Sequence, residues 1–297
     1  ADMVAGFYDA AGVPEKFELS VDPGGHAYPL PQAETFTRFM NRWMLGEPDR
    51  PVPEPAGDDF KMRPYEELQC HPRTDVNMRT LATDQADELA DKRDTSRQSV
   101  REAARDIAGI DGTIPSPDAE IGDPFQVWCH DWHPVMLRPE PDIELPATFL
   151  TTRDDEAAPS ILHIDDGGRH RMLYRGGPLT GAMRFIDRDR PVFNLFTVDL
   201  RGWGDTEPGM YPYEMTGWGS IDRYLAYATA ALGDPIMSMR IRDALAALQW
   251  LRERPEVDDQ RIVLTGKDVG AIVALHVAAI DGDLAGVITL DGLSSFH

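Results

Sequence analysis

The stretch Arg261-Ile-Val-Leu-Thr-Gly-Lys-Asp-Val-Gly270-Ala-Ile-Val-Ala-Leu275 decides the fold. A β-branched run, 261–265, meets Gly266-Lys-Asp-Val-Gly270 and passes without a spacer into an apolar helical run, 270–280. Small residues two before and two after the central position allow so tight a strand-to-helix turn, and they leave the Asp268 side chain exposed at a helix N-terminus. Two readings of the turn stand at this point. Asp268 is either a reactive carboxylate or a cap that receives the first amides of the helix.

The flanks extend the alternation. Upstream, 239–254 carries Ile241, Leu245, Leu248 and Leu251 on one helical face, and downstream 284–290 reads as a strand. Short β-type runs come earlier, at 125–129, 135–137, 147–152, 160–164 and 193–198. Strands alternating with helices predict an α/β fold with a mainly parallel sheet covered on both faces. The first fifty residues read differently. A short helix over 1–11 stops at Gly12 and Pro14, 17–21 alternates as a strand, and Pro23-Gly-Gly-His26 turns. A helix over 32–45 then sets Phe36, Phe39, Met40, Trp43 and Met44 at helical spacing before Gly46. Residues 47–65 are rich in Pro and acid, and 83–110 is a charged helical stretch with few core positions. The expected organisation is a segment over 1–50, a linker and surface helix over 51–120, and an α/β domain over 121–297.

Composition narrows the partners. The 297 residues include 51 Asp plus Glu against 29 Lys plus Arg, a net charge of −22. Nucleic-acid backbones and anionic membrane surfaces would be repelled, so neither is expected as a partner. Cys70 and Cys129 are too few for a disulfide framework, and neither lies in a Cys-x-x-Cys pair. No apolar run reaches the length of a membrane span, and the first residues do not read as a leader. The compartment stays open, with secretion or the periplasm compatible with a processed precursor. His130 and His133 in Trp128-Cys-His-Asp-Trp-His133 raise the thought of a metal, but β alternation sends them to opposite faces. A strand with aromatic packing is expected there, with no metal and no cofactor.

Gly-x-Asp-x-Gly between strand and helix has the layout of a nucleophile elbow with Asp in place of Ser; no Gly-x-Ser-x-Gly occurs in the chain. Ser160-Ile-Leu-His-Ile-Asp-Asp-Gly-Gly168 looks like a third strand and its oxyanion loop. Val198-Asp-Leu-Arg-Gly-Trp-Gly-Asp-Thr206 looks like a fourth strand and its loop, 243–258 like the helix before the elbow, and 284–291 like a sixth strand. In this order, residues 145–297 resemble the α/β-hydrolase superfamily, in particular its acetyl xylan esterase-like and prolyl oligopeptidase-like members. The resemblance implies hydrolysis of a small-molecule or carbohydrate ester by acyl transfer. It assigns backbone oxyanion donors to Gly167, Gly168 and Val269, although the carboxylates of Asp165 and Asp166 would oppose a developing oxyanion. No seventh strand is visible, so the sheet is expected to be incomplete after its sixth strand. Its edge is expected to be covered by another chain, a second copy or the 16–22 strand.

Lys16-Phe-Glu-Leu-Ser-Val-Asp-Pro-Gly-Gly-His26 resembles the eighth strand and His loop of the same family, and 32–45 its closing helix. Both precede the elbow instead of following it. Three arrangements fit: a piece across the junction of a tandem two-hydrolase protein, a circular permutant that returns His26 to Asp268, and a His26 without a role. The first is preferred, because 65–76 also resembles a segment of large acetyl xylan esterase-like proteins. The candidate catalytic residues are therefore Asp268, His26 and Asp291. Asp268 resembles the nucleophile of haloalkane dehalogenases and epoxide hydrolases, but Val269 stands where those families usually have Trp, and a degenerate elbow is preferred. Trp203, Tyr211, Tyr213 and Trp218 are the candidate pocket wall, since flat rings stack on sugars. This leaves three readings: a carboxylesterase-type assembly whose elbow here is degenerate, a non-catalytic carbohydrate-binding or structural pseudo-hydrolase, and an Asp-nucleophile hydrolase.

Overall fold

A Trp and two Phe side chains organise the core. Phe196 lies 4.7 Å from Trp250 between ring centroids, and Phe149 meets both edge-on at 5.8 and 5.6 Å. The computed structural model that shows this describes residues 2–21, 23–25, 28–52, 63–69, 76–127, 130–152, 156–173, 192–209 and 221–293. It divides into two compact units, Ala1–Asn77 and Met78–His297.

In the first unit, α1 (Asp2–Ala10) leads through a 3₁₀ turn, Pro14–Lys16, that sets Phe17 against Tyr8. The helix expected over 32–45 is present as α2 (Leu30–Met40) with a final π turn, Asn41–Leu45, ended by Gly46 at φ 71°. A residue with a Cβ adopts that left-handed φ only at a cost. The short α3 (Tyr65–Leu68) follows. The strand expected over 17–21 does not form. Among the described residues this unit holds no other strand, and a lone strand has no ladder to stabilise it.

The second unit opens with α4 (Met78–Lys92) and α5 (Arg97–Ala108) where one helical stretch was expected. The break lies at Asp94 and Ser96. Asp94 Oδ1 accepts the Ser96 amide at 2.8 Å, and the Ser96 hydroxyl accepts the Ser99 amide as an N-cap. Then come β1 (Asp118–Ile121), β2 (Phe125–Val127), β3 (His130–Glu140), β4 (Ile143–Thr151), β5 (Ala158–Asp165), β6 (Asn194–Val198), α6 (Ile221–Ala231), α7 (Ile236–Arg252), β7 (Val257–Lys267), α8 (Val269–Asp281) and β8 (Gly286–Leu290).

These strands form one sheet in the order β1-β3-β4-β6-β5-β7-β8, with β2 also on β3. The α/β expectation holds. The four strands read from sequence at 160–164, 193–198, 261–265 and 284–290 are β5 to β8, and every pairing among them is parallel. Beyond β6 the sheet continues antiparallel through β4 and β3. The β3–β4 hairpin closes through Asp142 at φ 64°. Alternation sends Leu162, Ile164, Phe196, Val198, Ile262 and Leu264 to one face, where α5, α7 and α8 cover them. The other face carries a smaller cluster of Leu150, Leu195 and Met172 with Trp132 and Ile161. α7 is buried almost all round, so its apolar surface is not confined to a stripe.

Because Trp250 is 2% exposed and shares its rings with β4 and β6, Trp250→Ala should cost about 3–5 kcal/mol. The check is the urea midpoint of unfolding followed by far-UV circular dichroism.

Candidate functional site

The elbow is built on contacts that only glycine permits. A Cβ on Gly270 would lie 2.5 Å from the Ile164 carbonyl oxygen of β5, and one on Gly266 would lie 2.5 Å from the Gly270 carbonyl oxygen. The Asp268 amide donates to Leu290 O of β8 at 2.9 Å, which ties the turn to both neighbouring strands. Between these fixed points Asp268 takes φ 51°, ψ −120°. A non-glycine residue there costs of order 1–3 kcal/mol and persists only because its surroundings over-determine it.

The carboxylate of Asp268 is held by cations. Lys267 Nζ lies 2.7 Å from Asp268 Oδ2 and 3.8 Å from Asp291 Oδ2, so the structure brings Asp268 and Asp291 to one ammonium. Arg171 NH1 is 3.6 Å from Asp268 Oδ2, 3.6 Å from Asp165 Oδ1 and 3.7 Å from Asp166 Oδ1. The bond to Asp268 raises the Lys267 ammonium above its ordinary range, so it stays protonated.

All three expected oxyanion donors are engaged. Gly167 N donates to Asp165 Oδ1 at 2.8 Å, and Gly168 N to Asp165 O at 3.0 Å. Val269 N points to Asp166 Oδ2 at 3.4 Å. The two loop aspartates act as local acceptors and claim the amides that a substrate oxygen would need. Burial raises the Asp166 carboxyl above the ordinary range, and the neighbouring charges of Asp268 and Asp165 add to it. Burial also works to raise Asp165, but the His163 ring 3.8 Å away and the hydrogen bond from the Gly167 amide outweigh it and leave the group lowered.

A second layer fixes the loops after β5 and β6. The buried Asp199 carboxylate accepts from the backbone amides of Arg169 at 2.5 Å and Asp205 at 3.0 Å, and pairs with the Arg169 guanidinium. Gly168 at φ 90° and Gly204 at φ 56° let the loops meet; a Cβ on Gly168 would lie 2.7 Å from Gly204 Cα. Arg201 grips Asp243 with two bonds of 2.7 and 2.5 Å. Arg240 donates to Arg201 O and to Asp222. Its guanidinium lies over the Trp203 ring, 4.0 Å from the centroid. Trp203 was expected in a pocket wall. It is 2% exposed with its indole N–H on Asp222, and it offers no ring face to a sugar.

The remaining candidates divide. His26, Tyr211, Tyr213 and Trp218 lie outside the described residues, as do Trp128 and Cys129. His130 and His133 sit on opposite faces of β3, where His133 Nε2 meets Thr151 Oγ1 and its ring lies 6.3 Å from Phe149. Trp132 stacks on Phe125. His163 is 1% exposed with Nδ1 on Thr265 Oγ1 at 2.7 Å, too deep to serve a substrate. Among the described residues, the partners of the Asp268 carboxylate are Lys267 and Arg171, neither of which can act as a base at neutral pH. Sequence reasoning did not anticipate the role of Arg171. The signal for it was the Arg-His-Arg run just after Gly167-Gly168.

No family model matches this chain, and no curated protein matches it by sequence. Solved structures do. A putative acetyl xylan esterase from Bacteroides fragilis shares 16% identity at a TM-score of 0.53, over 64% of this chain and 51% of that one. Acetyl xylan esterase 1 from Thermoanaerobacterium sp. (16% identity, TM-score 0.45, 65% and 57% coverage) and an acetyl xylan esterase from Paenibacillus sp. R4 (18%, 0.45, 65% and 58%) are further neighbours. This chain thus spans about half the length of the first of these structures. The likeness is one of fold: the second unit carries an α/β-hydrolase sheet, with Asp268 at its strand-to-helix elbow.

Proposed function

We propose that this chain is part of a carbohydrate-esterase-type α/β-hydrolase in which the Asp268 elbow does not carry out acyl transfer. One observation carries the reading: the Asp166 carboxylate lies on the Val269 amide, the donor that follows the elbow residue. A tetrahedral oxyanion at that point would displace one carboxylate and sit beside a second, that of Asp268, where like charge raises the barrier instead of lowering it. Two further facts support it. Asp268 is bonded to a cation that stays charged, and among the described residues no imidazole pairs with it. In this reading ester hydrolysis belongs to a serine-containing site of the same assembly, and the elbow here is retained for the turn it builds between β7 and α8.

The wild-type chain should therefore release no 4-nitrophenol from 4-nitrophenyl acetate above the protein-free rate, and Asp268→Ser should not by itself create activity. Turnover of a haloalkane or an epoxide that disappears in Asp268→Asn, with an alkyl ester on Asp268 detected by mass spectrometry, would establish the Asp-nucleophile reading in its place.

A second expectation concerns pH. The Asp166 carboxyl is raised in the fold above its unfolded value, so its charge costs stability at neutral pH. That cost fades as pH falls through the raised value toward the ordinary carboxylate range of about 4. Asp166→Asn should raise the urea midpoint at pH 7, and the gain should shrink as the pH approaches about 4. An equal gain at both pH values would show that the charge is not responsible.

A further inference from the structure

The backbone at Asp268 is set for a reaction within the chain. At ψ −120° the nitrogen of the next residue eclipses Cβ of an L residue, so Val269 N and Asp268 C, Cα and Cβ lie close to one plane. These are four of the five atoms of a cyclic imide. Rotation about Cα–Cβ alone brings the fifth, Cγ, toward the nitrogen. L residues seldom combine φ 51° with this ψ unless a fold imposes it. Here Gly266 and Gly270 fix the backbone on either side, and the Asp268 amide donates to Leu290 O at 2.9 Å. Val269 opens α8, so its N–H is one of the amides that the helix itself leaves unbonded, and its acceptor is Asp166 Oδ2 at 3.4 Å. Lys267 Nζ lies 2.7 Å from Asp268 Oδ2. A nucleophilic nitrogen, an acceptor for its proton and a donor for the leaving oxygen thus meet at one peptide bond.

We propose that Asp268–Val269 is a site of backbone self-modification, at which Val269 N attacks Asp268 Cγ and closes a succinimide. The N–Cγ bond forms as the N–H proton passes to the Asp166 carboxylate. The Cγ–Oδ2 bond breaks, and the oxygen leaves as water with that proton and one from the Lys267 ammonium. The chain loses one water, and Lys267 regains its proton from solvent. Asp268 is the electrophile in this step, whereas an Asp nucleophile would attack through its oxygen. An amide nitrogen is a poor nucleophile while its lone pair is delocalised into the carbonyl, so the acceptor on its proton is essential. The burial that raises Asp166 makes it a stronger base than an ordinary carboxylate. No bond within α8 is lost, because Asp268 O still accepts the Ala271 amide at 3.2 Å and Val269 N has no partner inside the helix. Water that opens the ring at the backbone carbonyl leaves an isoaspartate, in which the main chain runs through the former side chain. The step draws on bonded neighbours in the turn and on no exposed surface.

The test is the intact mass and peptide map of the full chain, aged at pH 7 in buffer and, in parallel, in denaturing urea. The expected result is loss of one water at Asp268–Val269, cleavable by hydroxylamine and followed by isoaspartate at 268. It should form roughly tenfold or more faster in buffer than in urea, where nothing holds ψ and the β-branched Val269 hinders closure. Asp166→Asn should slow the loss severalfold in buffer. Asp268→Glu, which would need a six-membered ring, should abolish it at this position. A rate in buffer no faster than in urea would overturn the proposal, and this comparison uses the wild-type chain, so it holds whether or not the variants fold. An unchanged rate in a folded Asp166→Asn chain would also overturn it, as would a loss of water that maps to another peptide bond.

Discussion

The approach of two backbones at Gly270 sets the terms for the rest of the second unit. A Cβ at this position would stand 2.5 Å from the Ile164 carbonyl oxygen, so α8 can begin where it does only because the residue is glycine. That start places the helix N-terminus directly after β7 and against the end of β5. The loop that follows β5 is thereby brought to the first amide of α8, and Asp166 reaches Val269 N. The strained conformation of Asp268 is a product of the same approach, since the chain has one residue in which to turn from strand to helix.

Much of this was legible in the sequence because two periodicities switch within a few residues. The strand over 261–265, the helix after it and the four parallel strands are runs whose apolar spacing leaves little choice of secondary structure. The two glycines of Gly266-Lys-Asp-Val-Gly270 state the tight turn directly. What was not legible depends on partners. Residues 17–21 have strand patterning and no strand, because pattern cannot supply a neighbour. Trp203 reads as a surface aromatic in a Gly-rich loop until Arg240, nearly forty residues later, is seen over its ring. The engagement of Gly167 and Gly168 turns on where the Asp165 side chain points, and its own strand does not specify that.

The cluster of carboxylates around the elbow is tolerated in a chain of net charge −22 through two cations used in different ways. Lys267 bonds Asp268 directly, whereas Arg171 stays half-exposed at 3.6–3.7 Å from three carboxylates and bonds none of them closely. Water screens the second arrangement more than the first, so Lys267 carries more of the local compensation. The deeper ion pairs around Arg201 and Asp243 differ again. They are buried and bidentate, and removal of one partner would strand the other charge away from water.

The far end of α8 shows where the unit's arginines are used. Arg101 donates to Ala279 O and Asp281 O, and Arg97 to Gly282 O, so α5 meets the last carbonyls of the helix with two guanidinium groups. The helix therefore has carboxylates gathered at its amide end and cations at its carbonyl end, each opposite in sign to the partial charge it faces. Its macrodipole is compensated at both poles by groups from separate parts of the sequence, from the β5 loop at one end and α5 at the other. Electrically, α5 is as much part of the elbow's helix as the glycines that start it, although it precedes every strand of the sheet.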